Sequence, residues 1–233
     1  MHSRFVAVTI AACCLSFSAC RGKQADPSKP SPTGQATNTE TALKRAGPVR
    51  LRVHSTLPDY SLTLIGDQAE GNSETLRAKK IEIRRGDATE PFQVIQGLDV
   101  ETPLTSGAPG ISVIDMNFDG YRDFRLMELQ PAGPNVPYLN WLFDPASGRF
   151  TDSRVLNQIT SPQFDSAKRE IRSDWRDGPD RYGTDIYVYK QGEPVLVRKE
   201  SKEYQRPGVY LSKISRLING EWRTLEQREV KAP

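Results

Sequence analysis

The sequence predicts an all-β domain, propeller-like or a sandwich, built from about a dozen short antiparallel strands with one calcium-binding hairpin loop. Three observations carry that expectation. Short runs place apolar residues at every second position. Turn-forming pairs such as Pro58-Asp59, Gly66-Asp67, Gly71-Asn72 and Gly86-Asp87 separate the runs. Helical periodicity is almost absent. No repeat of fixed period is visible, so the sequence does not demand a regular propeller.

Taken in order, Val49–Val53, Tyr60–Leu64, Lys80–Arg84 and Pro91–Ile95 alternate and read as strands. The acidic hairpin spans 111–128, and 130–137 is a loop dense in turn formers. Tyr138–Phe143 is an apolar, aromatic run that fits a buried central strand. Asp144–Gly148 turns and Phe150 opens the return strand. Val155, Leu156 and Ile159 suggest a brief crossing, and 161–165 a further turn. Glu170–Trp175 is a strand, 176–183 a polar loop with two glycines, and Thr184–Lys190 a strand. Gln191-Gly192-Glu193 turns into Pro194–Arg198. A charged run, 199–206, ends at Pro207-Gly208. The last hairpin joins Val209–Leu217 to Glu221–Leu225 through Asn219-Gly220, the strongest local hairpin signal. The aromatic residues Tyr138, Trp141, Phe143, Phe150 and Trp175 fall in apolar strands and are expected in the core.

The acidic hairpin carries the only convergent chemistry. Asp115-x-Asn117-x-Asp119-Gly120-x-x-Asp123 sets oxygen side chains at loop positions 1, 3, 5 and 9, with Gly at 6. Tyr121 can add its backbone carbonyl. Alternate residues of a tightly wound loop point inward, and mutual repulsion of three carboxylates is relieved by a cation or by water. Ca²⁺ accepts many oxygen ligands in flexible geometry and is the expected ion. Position 12 is Leu126, not Glu, and both flanks alternate with period two. A strand–loop–strand site of structural type is therefore expected, not a helix–loop–helix switch.

The N-terminal stretch reads as a targeting segment. Arg4 precedes the apolar run Phe5–Ala12, and small residues lead up to Cys20. This resembles a bacterial lipoprotein signal covering 1–19, with Cys20 lipidated. Arg21, where retention in the inner membrane uses Asp, points to the outer membrane, facing the periplasm. Residues 20–47 have almost no large apolar side chain and read as a disordered tether. Residues 48–233 are long enough for a single all-β domain. All three cysteines lie in or at the end of the signal, so no disulfide is expected in the mature domain.

Composition excludes some functions. The formal net charge is +3, and no basic cluster interleaves with aromatics, which argues against nucleic-acid binding. After the signal the one histidine is His54, with no Ser/His/Asp order and no nucleophile elbow around it. A His/Cys zinc site is not available. The carboxylate pairs Asp177/Asp180 and Glu200/Glu203 read as solvated positions. An enzyme is not expected.

A resemblance adds to these readings. The run Ile111–Arg125, then Pro137-Tyr-x-x-Trp-Leu-Phe-Asp-Pro-x-x-Gly-x-Phe150, Ile159–Asp165, and Ser173–Arg176 through Tyr182-Gly183 occur in that order. Together they resemble bacterial exported β-proteins with an FG-GAP or integrin-like calcium hairpin, similar to xanthomonad type IV secretion immunity lipoproteins. The likeness spans roughly 105–200. It implies a propeller-like, Ca²⁺-binding module that inhibits a lysozyme-like peptidoglycan hydrolase by plugging its cleft with a loop. The corresponding loop here is 176–183, with Arg176, Asp177, Asp180, Arg181 and Tyr182 as partner-binding candidates. A cell-envelope scaffold lipoprotein without inhibitor activity is the alternative.

Overall fold

The period-two runs become three antiparallel sheets, each a meander in which neighbours in sequence are neighbours in space. The computed structural model describes residues 43–68, 73–105, 108–129 and 133–231. Sheet I comprises β1 (Lys44–Leu51), β2 (Tyr60–Gln68), β3 (Thr75–Arg85), β4 (Gln93–Thr105) and β5 (Ala108–Pro109). Sheet II comprises β6 (Ile111–Ile114), β7 (Asp123–Met127), β8 (Tyr138–Asp144) and β9 (Arg149–Asp152). After the single turn of α1 (Arg154–Asn157) comes sheet III: β10 (Pro162–Asp165), β11 (Glu170–Asp177), β12 (Arg181–Lys190), β13 (Glu193–Arg206), β14 (Val209–Ile218) and β15 (Glu221–Lys231).

Alternation along β8 explains how the layers stack. Leu139, Trp141 and Phe143 face one way and join Phe124, Leu126 and Phe150 against the apolar face of sheet I, including Tyr60, Leu62 and Ile83. Leu142 faces the other way, towards Ile171, Phe164, Tyr187 and Tyr189 of sheet III and Leu156 of α1. Sheet II is thus the middle layer, apolar on both faces. The first core is densely aromatic: Phe124 stacks on Trp141 at 4.9 Å between centroids, and Phe150 meets Phe124 edge-on at 5.0 Å.

One buried charge holds sheet I. Glu82 on β3 is 8% exposed and accepts from Arg45 and Arg84 at 2.7 Å each, with Lys80 at 3.2 Å. The Arg45 bond foremost, then Arg84 and Lys80, outweigh burial and bring its carboxyl down to about 2. The folded value lies below the unfolded one. The stabilisation is therefore complete above the ordinary carboxylate range and disappears as pH falls through about 2. Glu82→Gln is expected to cost about 2 kcal/mol at neutral pH and much less near the acid limit. Urea titration at both pH values measures it, and equal costs would refute it.

Several expectations need correction. Residues 44–47, assigned to the tether, belong to β1. The described residues form fifteen antiparallel strands, in keeping with the expected all-β class, although β13 runs to 14 residues. The crossing around Val155 is the helical turn α1, whose Leu156 is completely buried. The turn at 161–165 is a strand, because Pro162–Asp165 pairs with Glu170–Ser173. The charged run 199–206 lies within β13. The signal at 1–19 and Cys20 lie outside the described residues.

Sheet III extends past the core that its first strands build. Nearly every residue of β15 is exposed, with Trp222 at 42% and Leu225 at 55%. Asn219 and Gly220 both adopt positive φ, 53° and 83°, in the predicted hairpin turn.

Candidate functional site

Two features were singled out by sequence, and the fold places both. The acidic loop joins β6 to β7 in the middle layer, beside sheet III. Its residues alternate: Asp115, Asn117 and Asp119 point outward, while Met116 and Phe118 are buried in the second core. Phe118 takes φ 61°, an uncommon conformation for a bulky residue, and so reaches Tyr189 at 6.0 Å and Phe164 at 6.5 Å between ring centroids. Gly120 at φ 92° completes the reversal.

The outward oxygens bind the loop's own backbone. Asp119 N–H donates to Asp115 Oδ1 and to Asn117 Oδ1, each at 3.2 Å. Gly120 N–H donates to Asp115 Oδ2 at 3.0 Å, and Tyr121 N–H to Asp119 Oδ1 at 2.8 Å. Asn117 Nδ2 donates to Asp119 Oδ2 at 2.8 Å. Each oxygen keeps a further lone pair. The donor set is all oxygen, which suits a hard cation and not zinc.

Asp123 is placed differently. It is fully buried, and its two oxygens accept from Met116 N–H at 2.7 Å and Phe143 N–H at 2.8 Å. Burial pushes its carboxyl up to about 7, against those two hydrogen bonds, with Asp119 and Asp115 adding to the rise. Among the described residues no three His, Cys, Asp or Glu side chains converge as a metal cluster. The five predicted ligands therefore divide. Asp115, Asn117 and Asp119 lie together and fit one side of a cation site, with the Tyr121 carbonyl next to them in the chain. Asp123 instead ties the loop to β8. Tyr121 stacks its ring on Phe143 at 5.6 Å and on His54 at 4.9 Å. His54 in turn holds Thr56 Oγ1 at 2.8 Å from its Nδ1.

Sequence reasoning missed three anchors of this loop: Met116, Phe118 and Tyr189. The signal for the first two was present, since bulky apolar residues alternate with the oxygen donors. Tyr189 was not legible, because it comes from sheet III. Its hydroxyl is buried without a hydrogen-bond partner among the described residues. Burial first, then the Asp123 carboxylate, drives its pKa well above that of a free phenol.

The second feature, 176–183, is not an open loop. β11 and β12 pair through it, Arg176 opposite Tyr182 and Asp177 opposite Arg181, leaving 178–180 as the turn. Pairing splits the predicted partner residues between faces. Arg176 and Tyr182 lie on the outer face of sheet III. Asp177 and Arg181, 3.6 Å apart, lie on the other face, where the Arg181 guanidinium sits 5.6 Å from the Trp175 ring. Asp180 occupies the turn, and its carbonyl accepts from Tyr204 N–H at 2.7 Å. Arg176 closes the turn, its Nε donating to the Gly178 carbonyl at 3.1 Å. The Asn135 side chain exchanges two hydrogen bonds of 2.8 Å with the Arg176 backbone and covers the edge of β11 there.

Gly183 does not lend this hairpin room for a partner. A Cβ at that position would fall 2.6 Å from Trp175 Cζ2 and 2.3 Å from the Glu200 carbonyl. The absent side chain is what lets Trp175 lie across the strand. Trp175 itself is half-buried and outside both cores, contrary to expectation, whereas Trp141, Phe143 and Phe150 are core residues. Tyr138 is also outside, covering the Arg125 guanidinium at 3.9 Å.

Fold and site together define an all-β protein of three stacked meanders with an acidic loop in the middle layer. Its architecture is shared by a solved protein described as related to a Xanthomonas type IV secretion system. The two are 16% identical with a TM-score of 0.57, over 78% of this chain and 99% of that one. At that identity the likeness concerns the fold. No family model and no curated protein matches the sequence.

Proposed function

We propose that the protein is a non-catalytic, periplasm-facing lipoprotein of the outer membrane, anchored at Cys20, that binds and inhibits a peptidoglycan hydrolase. The observation that carries this reading is the agreement in fold with the secretion-system related protein over nearly that protein's whole length. The resemblance of 105–200 to immunity lipoproteins points the same way. Ca²⁺ is the proposed ion at Asp115, Asn117, Asp119 and the Tyr121 carbonyl, with Asp123 as the residue that positions the loop. The FG-GAP-like character of the hairpin belongs to the same proposal. His54, held by Thr56 and Tyr121, has a structural role in this reading. Glu200 and Glu203 sit three apart on one strand, on opposite faces of the sheet, which disfavours them as a catalytic pair.

The partner-binding element is the tip of the β11–β12 hairpin. Asp177, Asp180 and Arg181 are exposed there, on a rigid two-stranded support. Lysozyme-type clefts carry catalytic carboxylates, which an Arg at a narrow tip complements. The double variant Arg181→Ala, Tyr182→Ala is expected to weaken inhibition of a cognate lysozyme-like hydrolase by at least ~10-fold. Turbidity assays on cell walls measure this, and full inhibition by the double variant would overturn the assignment. The alternative, an envelope scaffold lipoprotein, draws on the exposed faces of β15. Crosslinking in cells separates the two: a captured hydrolase supports inhibition, and captured envelope-assembly proteins support the scaffold.

A further inference from the structure

A concavity of about 900 Å³ lies on the outer face of sheet III. Two rows of side chains cross its floor. One runs Arg176, Tyr182, Lys202, Ser212, and the other Asp174, Thr184, Glu200, Ile214, one residue from each of β11 to β14. Tyr210 meets Tyr182 edge-on at 5.8 Å and extends the aromatic wall. Asn135 and Ser161 form the rim on the side of β10.

The carboxylates of this groove already have partners, while Lys202 lies 5.9 Å from the centre of the Tyr182 ring. Asp174 accepts from Arg172 at 2.9 Å and from the Thr184 hydroxyl at 2.6 Å. Glu200 accepts from Arg198 at 2.9 Å. A cationic ligand would have to break these pairs. A neutral ligand need only use the lone pairs and N–H groups they leave, which are planar and fixed in direction. β12 to β14 are interior to the six-stranded sheet, so their backbone groups are taken up in ladders, and the edge of β11 beyond Ser173 is covered at Arg176 by the Asn135 side chain. A peptide laid across this face would find no main-chain partners, unlike one added at a sheet edge. A half-exposed tyrosine wall facing a row of fixed polar groups is instead suited to a ring with one apolar C–H face and hydroxyls at its edge. The volume holds more than a single small ring.

We propose that this groove binds a neutral saccharide chain of two or more rings, stacked on Tyr182 and Tyr210 and hydrogen-bonded by Asp174, Glu200 and Asn135. Asp174 is not set up for acid catalysis. Although burial raises its carboxyl, Arg172 and Thr184 outweigh that and hold it below the ordinary value.

The test titrates the intact protein with chitotetraose and with cellotetraose, followed by calorimetry and by tryptophan fluorescence, since Trp175 adjoins the groove. Saturable binding to at least one of them is expected, weakened by ~10-fold or more in Tyr182→Ala and in Asp174→Asn. Asp174→Asn preserves shape, and its melting temperature shows that it folds. Absence of binding by both saccharides up to about 5 mM, or equal affinity in both variants, overturns the proposal. The hydrolase reading fails separately, because Arg181 lies on the opposite face. Arg181→Ala is expected to affect inhibition and leave saccharide affinity unchanged.

Discussion

Replacing Asp123 with Ala is expected to destabilise the protein by about 3 kcal/mol. The carboxylate is wholly buried and joins two backbone donors, Met116 in the acidic loop and Phe143 in β8. Its removal strands both N–H groups away from water, at roughly 1–3 kcal/mol each. Part of that is offset, because burial and the neighbouring Asp115 and Asp119 already disfavour the charge. Asp123→Asn separates the two effects. The amide removes the charge but presents an N–H to one of the two donors, so about 2 kcal/mol is expected. Urea unfolding reads both values. A loss below about 1 kcal/mol for Asp123→Ala would mean that water reaches these groups, and the anchoring role would fall.

This role shows where sequence reading stops. Period-two runs and the Asn219-Gly220 turn specify sheets locally, so the all-β class and the last hairpin were legible. Which way a residue faces across layers was not. Asp123 occupies a ligand position in the motif, yet it is also the first residue of β7 and points between layers, where Phe143 N–H lies. Likewise 176–183 contains Gly-Pro and four charged residues, composition typical of a loop. Cross-strand pairing and the packing of Trp175 over Gly183 carry the strands through it. Pro162 begins a strand, a position that proline tolerates, and so Ser161-Pro162 misled as a turn. The outer-face groove had no sequence signal at all. Its lining comes from four strands whose register only tertiary pairing sets.

Calcium is expected to raise the melting temperature by about 5–10 °C between chelator and saturating ion, and Asp119→Ala is expected to abolish that gain. By linkage, an ion that binds only the folded loop stabilises by about 2.7 kcal/mol at a hundredfold excess over its dissociation constant. Asp119 is exposed and spends its oxygens on Tyr121 N–H and the Asn117 amide, so in chelator its loss costs little. Asp123→Ala destabilises under both conditions, because its bonds do not involve the ion. The two variants thus distinguish a ligand from an anchor within one motif. Mg²⁺ at the same concentration is expected to give a smaller shift, since it surrenders its water reluctantly. Identical melting of the parent protein in chelator and in Ca²⁺ would leave Asp115, Asn117 and Asp119 as a self-satisfied turn. Phe118, Met116 and Tyr189 would then tie the loop to sheet III without the ion, beside the contacts of Leu142 with Ile171 and Phe164.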